Sequence, residues 1–212
     1  MNRRLLYNIL IVIVVAVSWV HMVLFGGEAL AAGGLENLKY FTLQSNLLAG
    51  LAALLWIICF AKNADEKKMH SVEILKYAAA VSVGLTFITV MGFLGNLYGY
   101  AMMLSGANLG FHLIVPVLAL WEICALCDTK FTKKDNLLAV LPMILYGIGY
   151  MLNCIINGIG EWPDRNDWYG FLQWGYPVGA AIFAFLILLS WLIGFAIRKI
   201  IARRLLKERI SV

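Results

Sequence analysis

Residues 39–62 read KYFTLQSNLLAGLAALLWIICFAK. No charge lies between Lys39 and Lys62, and from Leu47 to Ala61 every residue except Gly50 is apolar. A bilayer core is crossed by about 20 such residues in a helix. Lipid offers the backbone no hydrogen-bond partners, so the stretch must be helical throughout. Yet it opens with Thr42, Gln44, Ser45 and Asn46. In a helix Thr42, Ser45 and Asn46 stand at i, i+3 and i+4 and share one face, with Ala49 below them. Gln44 points elsewhere, toward the interface.

The rest of the chain follows the same pattern. Its 212 residues are 62% hydrophobic and 14% charged, against about 25% charged in a soluble domain. Further apolar runs occur near 5–25, 74–97, 107–127, 137–157 and 174–197, with the quoted one at 40–61. These predict an all-α membrane protein: a six-helix bundle forming a single transmembrane domain over residues 1–212. No Pro/Ser linker, low-complexity tract or repeat divides it. The first run has a second reading as a signal peptide, with MNRR as its basic start and Ala29-Leu30-Ala31 as a small-residue cleavage pattern. Its apolar core exceeds the roughly 7–15 residues of such peptides, which favours an uncleaved helix.

Charge placement predicts orientation. Fifteen of the 17 Lys and Arg residues fall on one side of the spans, and only Lys39 and Arg165 on the other. Both termini are therefore expected in the cytoplasm of a multi-pass cell-membrane protein. The net charge of +5 does not imply a nucleic-acid partner, because topology already accounts for it. The terminal RKIIARRLLKER, residues 198–209, reads as a stop-transfer flank against anionic membrane lipids. Cys59, Cys124 and Cys127 fall near the expected inner ends of their spans. They read as packing residues, including the CxxC of Cys124 and Cys127.

With orientation set, polar groups gather in the outer half. Thr42, His21, His112 and Asn153 fall within a few Å of one another in depth at ~1.5 Å per residue. Asn96, Asn157 and Tyr176 end their spans near the same level. The inner half is expected to hold few strong hydrogen-bonding groups. Glu122 lies ~15 Å below His112 and reads as a headgroup-level carboxylate. Two accounts of the outer layer stay open. One is hydrogen bonding between helices. The other is a catalytic pair, in which the Thr42 hydroxyl becomes a nucleophile when His112 takes its proton. His21, His112 and the amides lack the carboxylate or thiolate of a sound zinc set, and no cofactor is expected.

KYFTLQSN in the second span and FHLIVPVLAL in the fourth resemble the androgen-induced and androgen-dependent protein family of integral membrane hydrolases, in its bacterial branch. A weaker echo lies in WYGFLQWGYPVGAAIF. The resemblance implies a threonine nucleophile at Thr42 and a histidine base at His112. It implies hydrolysis of lipid esters such as fatty acid esters of hydroxy fatty acids. QSN after the threonine departs from the animal pattern, which bears on the substrate more than on the nucleophile.

On that reading Ser45, Asn46, His21, Asn96, Asn153 and Tyr176 line the substrate pocket, and Ser45 or Asn46 polarises the oxyanion. Pro116 is expected to kink the fourth span. GIGEWPDRNDWYG, residues 158–170, reads as a loop over the outer mouth, with a lid as the second choice. Trp162, Trp168 and Trp174 are expected as interfacial anchors. Two other activities fit the same residues: an acyltransferase using an alcohol in place of water, and a small transporter or receptor with an outer ligand cavity.

Overall fold

The computed structural model describes residues 2–25, 34–161 and 165–210. The Ala29-Leu30-Ala31 pattern and Trp162 lie outside the described residues. Among the described residues there is no strand. Six helices are long and apolar enough to cross a membrane: α1 (Arg3–Phe25), α2 (Phe41–Ala61), α3 (Glu66–Tyr98), α4 (Gly106–Leu126), α5 (Lys133–Asn157) and α6 (Tyr176–Ile210). The chain is a multi-pass helical membrane protein.

Two helices outrun their apolar runs. α3 begins at Glu66 because Asp65 caps it, its carboxylate accepting the Lys68 amide at 2.9 Å. α6 continues to Ile210, since Arg, Lys and Leu are strong helix formers and Ile197 and Ile201 stay buried against the bundle. α5 starts with a capping box, in which Thr132 and Asp135 each satisfy the other's backbone amide.

α3 is the central helix. It packs against α2, α4, α5 and α6, and 61% of its most apolar stretch is buried, against 22% for α6. Small residues on this axis, Ala78, Ala79, Ala80 and Gly84, let its neighbours approach closely. Large apolar side chains on the outer faces, such as Val17, Leu145, Ile148, Ile155 and Phe185, are exposed. In water such a surface would aggregate; in lipid it is the expected exterior.

Arg4 bonds Glu122, and Arg204 bonds the Cys127 carbonyl and Asp128. Both termini therefore meet the same connection, and this is the basal end of the bundle. Thr42 and the 165–175 segment mark the distal end.

α4 is not a uniform helix. π-helical turns occupy Gly110–Ile114 and Glu122–Leu126. The first has a cause in the sequence. Pro116 has no amide hydrogen, so the His112 carbonyl four residues earlier loses its helical donor. The expected irregularity at Pro116 thus takes the form of a widened turn one turn upstream, and it contains His112.

The 165–175 segment is packed into the bundle rather than laid over it. Asp167 is 1% exposed and Leu172 also 1%. The Tyr150 hydroxyl donates to Asp167, whose other oxygen accepts the Leu172 amide at 2.9 Å. Trp168 faces inward, donating to the Tyr146 hydroxyl at 2.9 Å and packing edge-on against Tyr150. It is packed inside the bundle and not presented at the surface, whereas Trp174 is 66% exposed. The reason is the buried Asp167, which draws its neighbours inward to satisfy its charge.

Candidate functional site

The distal polar layer is built at the start of α2. The Tyr169 hydroxyl accepts the Phe41 amide at 3.0 Å and so caps this helix from a distant segment. Burial pushes the Tyr169 phenol up to about 12, while contact with the Phe41 and Thr42 amides and Tyr146 works in the opposite direction. Thr42, next in the chain, is half-buried, whereas Ser45 and Asn46 are buried. Gln44 turns outward and donates to the Leu38 carbonyl at 2.8 Å.

Ser45 and Asn46 do not act as the free donors the sequence suggested. The Ser45 hydroxyl donates to the Thr42 carbonyl at 2.9 Å and lies 3.2 Å from the Thr86 hydroxyl on α3. The Asn46 amide nitrogen donates to the Thr42 carbonyl at 2.7 Å and to the Phe111 carbonyl on α4 at 3.0 Å. Both of its hydrogens are spent on carbonyls. Its oxygen, Oδ1, is buried and has no hydrogen-bond partner among the described residues.

His112 is 8% exposed. Its Nδ1 lies 2.6 Å from the Met103 carbonyl. A carbonyl only accepts, so Nδ1 carries the proton, and Nε2 is left with a lone pair. Asn46 holds the backbone of Phe111, its neighbour, to the backbone of Thr42. Among the described residues no hydrogen bond joins the Thr42 hydroxyl directly to His112. α1 closes the layer: a Cβ on Gly110 would stand 1.9 Å from the Ser18 hydroxyl. Only glycine permits this approach beside His112.

The remaining candidates occupy other surroundings. His21 packs its ring 5.1 Å from Phe25, and its buried Nδ1 has no partner among the described residues. Asn96 is exposed at the end of α3 and bonds within it, to the Gly92 carbonyl, and to Tyr100. Asn153 accepts from Asn157 at 2.9 Å, and Tyr176 donates to the Cys154 carbonyl at 3.1 Å. The first of these contacts lies within α5, and the second joins α5 to the start of α6.

The sequence reading missed a second polar layer at the basal end. Glu122 is 1% exposed, not at the headgroups. Its carboxylate accepts Arg4 Nε at 2.6 Å and Lys76 Nζ at 2.8 Å. The Arg4 guanidinium forks onto Glu73 at 2.7 and 2.5 Å. Glu73 also accepts Trp56 Nε1 at 2.9 Å and the Cys127 thiol at 3.5 Å. Lys76 donates to Asn8, and Arg4 lies 4.9 Å over the Trp56 ring. Two cations face two anions, so the group is neutral as a whole, and each charge has several partners. Burial costs each ion several kcal/mol, which such a network offsets only when it is complete.

One spacing joins the two layers. Asn8 and Ser18 on α1, Asn46 and Trp56 on α2, Lys76 and Thr86 on α3, and His112 and Glu122 on α4 are all buried. In each pair the residues stand ten apart, ~15 Å along a helix. Between the layers lies an apolar band of small and branched residues, including Val15, Ala49, Ala53, Ala79, Val83 and Ala119. The cavity in this band, beside Lys76 and Glu122, is about 10 Å³, room for at most one water. This repeat was the available signal for the basal group.

Comparison with family models, with curated proteins and with solved structures finds no match for this chain.

Proposed function

We propose that this protein is a hydrolase of lipid esters in the cell membrane, with both termini cytoplasmic, Thr42 as nucleophile and His112 as base. The observation that carries the reading is the fixed tautomer of a buried histidine: Nδ1 bound to the Met103 carbonyl leaves Nε2 able to accept a proton. The Asn46 bridge, which ties the backbones of Thr42 and Phe111, supports a common level for the pair. The similarity of KYFTLQSN and FHLIVPVLAL to the threonine hydrolases supports the same assignment.

In the reaction, Thr42 Oγ1 attacks the ester carbonyl carbon and His112 Nε2 takes its proton. The alcohol leaves with that proton, and the acyl group stays on Thr42. Water then releases the fatty acid, with His112 again as base. Ser45 and Asn46 have no hydrogen to offer the oxyanion.

The test is turnover of a p-nitrophenyl fatty ester together with labelling by a fluorophosphonate. Thr42→Ala and His112→Ala should each lower turnover by about a thousandfold, and the double variant by little more, because the two act as a unit. Unchanged turnover in folded Thr42→Ala defeats the assignment. Acyl transfer to an added alcohol without hydrolysis makes the protein an acyltransferase.

The buried Arg4, Glu73, Lys76 and Glu122 favour a second reading, a carrier, since intramembrane ions mark transport pathways. The apolar band between the layers and the mutual neutralisation of these charges weigh against it. Uptake of a ligand into proteoliposomes that is lost in Glu122→Gln would support it.

A further inference from the structure

Among the described residues, Asn46 Oδ1 is an unpartnered atom in the distal layer. It is a strong acceptor on a residue with no exposed surface. Its identity is not open to exchange with the nitrogen, because both contacts on the other side of the amide are to carbonyl oxygens, which need a donor. Leaving such an atom bare is unfavourable, since a buried acceptor gives up its hydrogen bond to water and gains none in return. The same amide locks α2 to α4, so the oxygen is held rigidly at the level of Thr42 and His112.

An acceptor there repels a developing oxyanion and attracts a hydroxyl hydrogen. Acylation brings no free hydroxyl other than that of Thr42 itself, whereas deacylation needs one. We infer that Asn46 Oδ1 is the positioning acceptor for the attacking water in the second half of the reaction. The inference rests on the hydrolase reading above. The water has two hydrogens. Asn46 Oδ1 accepts a hydrogen bond from one, which stays on the oxygen, and His112 Nε2 removes the other. The water oxygen attacks the acyl carbonyl carbon. The tetrahedral intermediate collapses, the bond from the carbonyl carbon to Thr42 Oγ1 breaks, and His112 returns its proton to that oxygen. A carboxylic acid leaves and the free threonine is restored. With a bound alcohol in place of water, the alcohol has a single hydroxyl hydrogen, which His112 must take. Asn46 would then have nothing to accept. The arrangement therefore selects water over alcohols, and hydrolysis over transfer.

The experiment separates the two half-reactions in Asn46→Ser and Asn46→Leu, compared with the wild type in detergent. A p-nitrophenyl fatty ester gives a burst for acylation and a steady rate for deacylation, and intact mass reads the acyl group on the protein. For Asn46→Ser we expect a burst within about threefold of wild type, a steady rate at least tenfold lower, and a stable acyl adduct. Hydroxylamine, a stronger nucleophile, should restore much of the lost turnover. The ratio of transfer to methanol over hydrolysis should rise. Asn46→Leu, which keeps neither acceptor nor bridge, should show the same ratio change even if its yield falls.

Equal loss of burst and steady rate, with no adduct and no rescue, would mean that Asn46 only fastens α2 to α4, and would overturn the inference. So would an unchanged partition between water and methanol. A wild type with no burst and no label on Thr42 overturns the hydrolase reading and the role of Asn46 together. A wild-type burst with an Asn46 variant indistinguishable from it overturns the role of Asn46 alone.

Discussion

The two polar layers stand on the same helices but are built from different residues, ion pairs at the basal end and neutral hydroxyls, amides and imidazoles at the distal end. At the basal end the Arg4, Glu73, Lys76 and Glu122 charges close on one another, with Asn8, Trp56 and Cys127 adding further bonds. At the distal end Asn46 Oδ1 and His21 Nδ1 are buried without partners, and His112 keeps Nε2 for another group. A saturated network is suited to holding helices together. A layer with unspent acceptors is suited to receiving something. The layers differ both in charge and in how completely their donors and acceptors are used.

The largest effect should come from opening the saturated layer. Glu122→Ala leaves Arg4 and Lys76 facing an apolar wall, and should destabilise the protein by about 3–5 kcal/mol. Thermal unfolding in detergent, followed by circular dichroism, measures it. Removing one charge of each sign together, with Arg4→Met and Glu73→Leu, should cost less than the sum of the single changes. Should Glu122→Ala unfold no earlier than Asn46→Ser, the contrast between the layers fails.

A smaller effect is expected at the contact between α1 and α4. Gly110→Ala places a methyl group against the Ser18 hydroxyl and should cost about 1–3 kcal/mol. Ser18→Ala removes the colliding oxygen and should recover part of that loss. The same double-variant comparison tells whether the position of the π-helical turn matters for His112, because esterase activity should fall with Gly110→Ala and return with the second change.

The smallest effect belongs to the cap. Tyr169→Phe keeps the ring stack on Phe171, 5.0 Å between centroids, but removes the acceptor for the Phe41 amide. About 1 kcal/mol of stability should be lost, in the range of other helix caps. Hydrogen exchange at Phe41 should quicken while that at Ala49 stays slow.

The six spans were legible because an apolar run of membrane length leaves the backbone no alternative to a helix. The ends of α3 and α6 were not, since Glu66–Ile74 and Ile197–Ile210 are too polar for a hydropathy reading. They continue as helices through a cap and through buried isoleucines. Thr42, Ser45, Asn46 and His112 were legible as a level, from i, i+3 and i+4 spacing and from alternating span direction. What Ser45 and Asn46 donate to was not, because the Phe111 and Thr86 partners come from other helices. The basal layer was misread for the same reason. Arg4, Glu73 and Lys76 look like flanking charges and Glu122 like a headgroup carboxylate, until the bundle brings them together.

The Arg4 contacts also carry a consequence for biosynthesis. Its two carboxylates lie 69 and 118 residues further along the chain. Arg4 is synthesised before either carboxylate, so its pairing can form only once α3 and α4 are present. The ring of charge is thus a latch that a partial chain cannot shut. Nascent chains stopped before Glu122 should keep α1 free to be crosslinked to neighbouring proteins of the insertion machinery, and chains extended past Phe131 should not. Crosslinking that is lost already at the shorter length would place the docking of α1 earlier than the latch.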